Sequence, residues 1–350
     1  MDVILEEFLL KNMENNNKYL IIYHSEDNDG CCSSAIIKYY LVNELGAQEK
    51  NITLFGANYA ILSNVANNGF YYIDKYGCEI NLFDFDYLIM TDVSFNDFEM
   101  MKVIYDQYGF NFIWIDHHAP IINESIKQKY DILINGVRDP HRSALLNAYK
   151  YCYDPFDTEY LNGNAPYILR ILSAWDSFTF EQEEIDFEFA RRVNMGFTSW
   201  FQLKPKIWYE EMKNLLSNKE NIYKPYLNRT FNDGSLEADS YDERNEKIIK
   251  NFGMSGFSVN GRPAMLLFMS EGTSSLIFKS VSDTYKNGIC AKTSPTGNII
   301  ISLYNTDRND HSFHCGTYLH DNYGGGGHEG AAGCTITIEQ FTKILTTKTL

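Results

Sequence analysis

The stretch Ile113-Trp114-Ile115-Asp116-His117-His118 is an apolar run that stops in one carboxylate and two imidazoles. A buried parallel strand delivers side chains to the carboxyl edge of a sheet in this way, and open α/β sheets place their chemistry along that edge. The pattern predicts a strand over 112–116 with a site at its end. Paired histidines after an aspartate also occur on ordinary surfaces, so the reading depends on partners elsewhere in the chain.

Two further strands supply them. Tyr87-Leu88-Ile89-Met90-Thr91 is apolar and is followed by Asp92. Tyr19-Leu20-Ile21-Ile22-Tyr23 runs into His24-Ser25-Glu26-Asp27-Asn28-Asp29-Gly30, and the small residues Cys31–Ala35 lead into a helix expected to reach about Leu45. A turn with a helix N-cap accounts for Gly30 and one acidic or amide side chain. It does not require His24, Asp27 and Asp29 together. Downstream, helices are predicted over Arg142–Tyr153 and Pro166–Trp175, with Asp176 closing the second. Helix C-termini favour cations, so a carboxylate there is easier to understand with a bound cation beside it.

Together, His24, Asp27, Asp29, Asp92, His117 and Asp176 offer oxygen and nitrogen donors and no thiolate. That mix suits Mn²⁺, Mg²⁺ or Fe²⁺ better than structural zinc. Six ligands exceed the needs of one cation and suit two. A two-metal centre activates water and stabilises the attacking and leaving oxygens at phosphorus. Asp92, alone after its strand, is the expected bridging carboxylate.

The rest of the chain sets the frame. Its 350 residues are 44% hydrophobic and 15% aromatic, ample for two cores. The net charge of −16 disfavours a grip on long DNA or RNA and leaves short pieces open. Seven scattered cysteines without a C-x-x-C pair fit free thiols in a reducing compartment. No cationic start with an apolar core opens the sequence, and no apolar run reaches membrane length, so a cytoplasmic protein is expected. The stretch 58–80 reads as a helix and a loop, and a fifth short strand is expected over Ile132–Asn135. Residues 181–250 read as amphipathic helices, with an exposed loop or kink over Asn228–Asp242. After Gly256 short strands follow at Gly256–Asn260, Ala264–Met269, Gly288–Lys292 and Ile299–Tyr304, with helices over Ser274–Tyr285 and 311–323. A loop then carries four successive glycines, Gly324 to Gly327, before His328. Such glycines suit backbone N–H groups turned toward a phosphate; a flexible hinge is the plain alternative.

In this order, over roughly residues 19–335, the motifs His24-x-x-Asp27-x-Asp29-Gly30, Asp92, Asp116-His117-His118, Asp176 and the glycine loop resemble the DHH phosphoesterase family with its DHH-associated C-terminal domain. The spacing of the first motif and the aromatic-rich sequence are most similar to the oligoribonuclease (nano-RNase) branch, related to the RecJ exonucleases. The resemblance implies an α/β protein: an N-terminal parallel-sheet domain over 1–180, a helical connector over 181–252, and a smaller α/β substrate-binding domain over 253–350. It implies two Mn²⁺ per site, one on His24, Asp27 and Asp92, the other on Asp29, Asp92, His117 and Asp176. His118 would face the scissile phosphate and Asp116 would orient the neighbouring imidazole. Gly325, Gly326, Gly327 and His328 would bind substrate phosphate, with Arg142 a further candidate contact.

Many relatives carry Ser-Leu-Arg-Ser on the strand before the glycine loop, whereas this chain has Ser302-Leu303-Tyr304-Asn305. Tyr304 can stack on a base and Arg308 can supply the missing charge, which leaves substrate preference open. The expected activity is hydrolysis of short RNA or DNA oligonucleotides to mononucleotides. Alternatives are cleavage of a cyclic dinucleotide, dephosphorylation of 3′-phosphoadenosine 5′-phosphate, or a nucleotide-binding sensor without turnover. The expected partner is a short oligonucleotide or signalling nucleotide, with no membrane, and a homodimer is compatible with the reading.

Overall fold

The computed structural model describes residues 16–58, 61–62, 70–73, 79–95, 97–154, 165–269, 274–294, 296–307, 310, 312–327 and 329–350. The chain divides into two compact units, the first ending at Glu237 and the second running from Ala238 to Leu350.

In the first unit β1 (Tyr19–His24) leads into helix α1 (Asn28–Asn43) and strand β2 (Ile52–Ala57). A small antiparallel pair follows, β3 (Tyr71–Ile73) with β4 (Glu79–Asn81), where the sequence suggests only a helix and a loop. Next come β5 (Tyr87–Thr91), α2 (Phe98–Tyr108), β6 (Phe112–Ile115) and α3 (Ala119–Lys127). The main sheet has the order β2-β1-β5-β6, all parallel. Strand β1 therefore has neighbours on both sides, and β1, β5 and β6 end along the same edge.

Alternation along these strands builds two cores. Tyr19, Ile21, Tyr23, Ile89, Ile113 and Ile115 face one side and pack with Cys32, Ala35 and Ile36 of α1. The intervening residues Leu20, Ile22, Leu88, Met90, Phe112 and Trp114 face the other, against Met101 and Ile104 of α2 and Ile122 of α3. Burial on both faces explains why the strands read as continuous apolar runs.

The expected fifth strand at Ile132–Asn135 appears two bridges long and displaced toward the C-terminus: Asn135 pairs with Ile113, and Arg138 with Asp116. Gly136 between them has φ 123° and its Cβ position lies 2.0 Å from the Trp114 carbonyl oxygen, so no side chain fits there.

Among the described residues, five helices complete this part of the chain: α4 (Ala144–Tyr153), α5 (Tyr167–Ser177), α6 (Phe187–Phe201), α7 (Pro205–Leu215) and α8 (Glu220–Phe252). The segment expected as a connector supplies Phe197, Phe201, Trp208, Met212 and Leu227 to the core around α1, so up to Glu237 it is part of the first unit. No loop or break interrupts α8 over 228–242. Gly234 lies inside that helix because its Cβ position is 1.7 Å from the Arg192 carbonyl oxygen of α6, and Gly196 meets Thr230 O at 1.8 Å. The glycines allow two helix backbones to touch.

The second unit holds a six-stranded sheet ordered β11-β12-β10-β9-β8-β7. Its strands are β7 (Met254–Val259), β8 (Arg262–Phe268), β9 (Asn287–Thr293), β10 (Ile299–Asn305), β11 (Gly326–Gly327) and β12 (Ala331–Ile336). Among the described residues, only the β8–β9 pairing in this sheet is parallel. Helices α9 (Cys315–Tyr323) and α10 (Ile338–Thr347) cover one face. Ser275–Val281 is a 3₁₀ segment, not the longer helix expected over 274–285. Part of the expected glycine loop is strand: Gly326 and Gly327 pair with Gly333 and Ala332.

Candidate metal centre

Each element of the first unit brings its side chains to the sheet edge for a local reason. Asp27 caps α1, its Oδ1 accepting from Gly30 N at 2.9 Å, so the helix begins at Asn28, three residues before the small-residue run. Its other oxygen meets His24 Nδ1 at 2.8 Å. Gly30 permits this fold-back, because its Cβ position lies 2.1 Å from the His24 carbonyl oxygen.

Asp92 follows β5 with φ 58°, a left-handed conformation costly for a residue other than glycine and tolerated best by Asn and Asp. Its amide donates to the Ile115 carbonyl at 3.0 Å. Asp29 sits in the first turn of α1 and takes Ala144 N and Leu145 N at 2.8 Å each, so its two oxygens cap α4. Asp176 lies in the last turn of α5.

These groups converge on one another. His117 Nε2 is 3.2 Å from Asp92 Oδ1, 3.3 Å from Asp176 Oδ2 and 3.8 Å from Asp29 Oδ2. His24 Nδ1 is 3.6 Å from Asp92 Oδ2. Asp92 thus turns one oxygen toward His24 and Asp27 and the other toward His117. The donor atoms form three groups able to hold a cation: His24 with Asp27 and Asp92; Asp29 with His117 and Asp176; and Asp92 with His117 and His118. The first two follow the division that the resemblance implies. The third adds His118 beside a cation position. A cavity of about 170 Å³ is lined by Asp27, Asp29 and Asp176 together with Trp175, Asn194 and Thr198.

Electrostatics mark the cluster as short of positive charge. Burial pushes the Asp92 and Asp176 carboxyls well above the ordinary range, and the Asp29 charge pushes both further. Asp29 is raised by burial too. Burial opposes a charge on His24, yet its bond to Asp27 and the nearby Asp92 carboxylate push it up to about 11. His117 is likewise raised against its burial by Asp176, Asp29 and Asp116. Asp92 Oδ2 and Asp176 Oδ2 are enclosed without any hydrogen-bond donor. Buried carboxylate oxygens of this kind are costly unless a cation or donor meets them. Four carboxylates and neutral imidazoles match two dications in charge, and the oxygen and nitrogen donors fit Mn²⁺ or Mg²⁺.

Asp116 is arranged differently. It is fully buried, and Oδ1 accepts from His117 N at 2.7 Å and His118 N at 3.2 Å, and lies 2.7 Å from His118 Nδ1. Oδ2 accepts from Trp114 Nε1 at 3.0 Å. Burial would raise this carboxyl, but the bond with His118 holds it below the usual range. With both oxygens engaged, Asp116 supports its neighbour and belongs to none of the three ligand groups.

The remaining candidates are placed elsewhere. Arg142 is buried, its Nε 3.4 Å from Asp139 Oδ2. Tyr304 lies on β10 of the second unit, with its ring 6.2 Å from that of Phe278. In the same unit Gly325 and Gly327 press against β12, with Cβ positions 2.4 Å from Gly333 O and 2.5 Å from the Ala332 Cα; Gly326 has open space. Packing therefore accounts for two of the glycines. His328 and Arg308 lie outside the described residues. Sequence reasoning missed three supports: Trp114, the Ala144–Leu145 amides, and Asn147, whose Nδ2 donates to the Asp116 carbonyl at 3.0 Å. Only Asn147 left a signal, as a polar residue in an otherwise apolar helical face.

Residues 18–172 match the family model described as DHH family, N-terminal domain. None of the curated proteins matches the chain significantly in sequence. Among solved structures, the DHH domain of a member of a family of ribosomal proteins is similar at 14% identity, over 99% of this chain and 88% of that one, with a TM-score of 0.59; at that identity it shows the fold alone. A pGpG-specific phosphodiesterase from Vibrio cholerae matches at 15% identity over 94% and 97%, TM-score 0.48. RecJ from Thermus thermophilus in complex with Mn²⁺ matches at 13% identity over 98% of this chain and 53% of its own, TM-score 0.46.

Proposed function

We propose that this chain, whose residues 18–172 match the model of the DHH family N-terminal domain, is a metal-dependent phosphodiesterase that hydrolyses short oligonucleotides to mononucleotides. The observation that carries the reading is Asp92. Its two carboxylate oxygens face two separate groups of ligands, 3.6 Å from His24 on one side and 3.2 Å from His117 on the other. A strained backbone holds it there, and one of its oxygens has no donor.

His24, Asp27 and Asp92 would hold one Mn²⁺, and Asp29, Asp92, His117 and Asp176 the second. When bound, the cations supply an activated water and positive charge against the charge that builds on phosphorus. The chain's own residues do the rest. Asp116 takes the Nδ1 side of His118, which leaves Nε2 as the nitrogen able to hold a proton for the leaving oxygen. The α4 amides fix Asp29, and the Gly30 amide fixes Asp27, so both ligands are oriented before a cation arrives. We place the protein in the cytoplasm; among the described residues no helix is long and apolar enough to cross a membrane. The net charge of −16 supports a short substrate over a long one.

The test is a panel with Mn²⁺: labelled two- to five-mers of RNA and DNA, a linear and a cyclic dinucleotide, and 3′-phosphoadenosine 5′-phosphate. Mononucleotide release from the short oligomers is expected. Turnover confined to another phosphoester would replace the substrate assignment, and nucleotide binding without any turnover would replace the enzyme.

A further inference from the structure

Trp114 lies in strand β6, and Asp116, two residues on, follows the strand's last residue in an extended bridge to Arg138. Both are fully buried, and the indole N–H donates to Asp116 Oδ2 at 3.0 Å. Trp114 is itself held on several sides. Its backbone N–H bonds to Asn135 O at 2.8 Å, Arg138 lies over its ring at 5.3 Å, and the Arg138 guanidinium donates to its carbonyl at 3.0 Å. On the other side of the carboxylate, Oδ1 gathers two backbone amides and the His118 ring.

We infer that Trp114 is a positioning residue for the reaction: its indole N–H fixes the Asp116 carboxylate, and through it the tautomer and orientation of His118. The inference rests on the proposed phosphodiesterase reading for its kinetic consequence, though not for the geometry.

A carboxylate anchored only through Oδ1 can turn about its Cβ–Cγ bond and leave Oδ2 buried without a donor. The indole removes that freedom, because it is the donor that Oδ2 has and it sits in a close-packed apolar layer. The carboxylate plane is then set, Oδ1 stays aligned with His118 Nδ1, and the imidazole keeps its proton on Nδ1 with Nε2 turned away from Asp116. A phenylalanine at position 114 would keep an aromatic ring in the strand and the core but would offer no donor to Oδ2. Indole is the side chain that fills this position and also donates.

Two arms test it. In the first, Trp114 is replaced by its isostere benzothienylalanine, which exchanges N–H for sulfur and keeps the shape, and by Phe as Trp114→Phe. The ring ¹⁵N signals of His118 are then read in the protein loaded with diamagnetic Mg²⁺. Wild type should show a single Nδ1–H tautomer, and the isostere a mixture. In the second arm, Mn²⁺-supported hydrolysis of a dinucleotide should lose about tenfold or more in kcat, with KM changed less than about twofold, as for a lost hydrogen bond to a charged group. Combined with Asp116→Asn, the replacement should add less than about a further twofold, because Trp114 acts through Asp116. An unchanged His118 tautomer and kcat in the isostere would overturn the inference, as would an equal loss in the Asp116→Asn background. If the wild type cleaves no phosphoester, the proposed function fails and the His118 signal alone decides the role of Trp114.

Discussion

Replacing Gly30 with alanine sets two ordinary expectations against each other. Gly30 lies in the first turn of α1, where Ala is favoured over Gly by about 1 kcal/mol in helix propensity. By that measure Gly30→Ala should stabilise. The structure predicts the opposite. The new Cβ would lie 2.1 Å from the His24 carbonyl oxygen and 2.8 Å from its carbonyl carbon and Cβ, where ordinary contact begins at 3.4 Å. The obstructing oxygen is backbone at the end of β1, in register with Ala57 of β2, so it cannot swing aside like a side-chain tip. Either the strand end or the start of α1 must move by about 1 Å, a strain that typically costs about 1–3 kcal/mol and outweighs the propensity gain. That movement falls on His24, Asp27 and Asp29 at once. A displacement of about 1 Å in a catalytic constellation costs on the order of 100-fold in rate. Urea unfolding should show a net loss of stability, calorimetry a weaker affinity for Mn²⁺, and hydrolysis a drop in kcat of that order. A variant as stable as wild type, with unchanged Mn²⁺ affinity, would refute the packing argument.

Two other perturbations follow from the same geometry. In the metal-free chain three imidazoles are raised from the ordinary value of 6.5: His24, up to about 11, and His117 and His118, each by neighbouring carboxylates that outweigh its burial. A raised folded pKa contributes stability below the unfolded value and loses it as pH rises, so with chelator present Tm should fall from pH 6.5 upward, and the stabilisation from added Mn²⁺ should grow over the same range. A chelated protein whose Tm is flat across that range would contradict the charge shortage. Gly234→Ala should push α8 from α6, since its Cβ would meet Arg192 O at 1.7 Å, and lower stability by about 1–3 kcal/mol in urea unfolding despite the better helix former; a stabilised variant would show that the helices separate freely.

How much was legible in the sequence follows the physics of each signal. Strands buried on both faces leave apolar runs, so β1, β5 and β6 were readable to within a residue or two, and so were the acids and histidines that end them. The pair Tyr71–Ile73 with Glu79–Asn81 was not, because three-residue strands are too short to show a period. Gly234 falls in the stretch 228–242, expected as a loop or kink and found as continuous helix. Glycine beside asparagine, aspartate and serine reads as a break, yet here it serves a helix crossing that sequence alone does not display. The glycines after Tyr323 suggested an anion loop, while Gly325 and Gly327 are needed where the chain presses on β12. At the site, residue type announced the six candidate ligands and Asp116. What held them was silent. Backbone amides from α4 carry no sequence signature, and Trp114 looked like one more apolar residue in a strand.

In the proposed centre Asp92 is the carboxylate shared by two cation sites. Titration calorimetry with Mn²⁺, run beside dinucleotide hydrolysis on wild type and Asp92→Asn, tests it most directly. Two Mn²⁺ per wild-type chain, weakened binding at both positions in the variant and loss of turnover with the fold kept are the predicted results. Two Mn²⁺ bound to Asp92→Asn with wild-type affinity, or hydrolysis at the wild-type rate, would contradict the two-metal assignment.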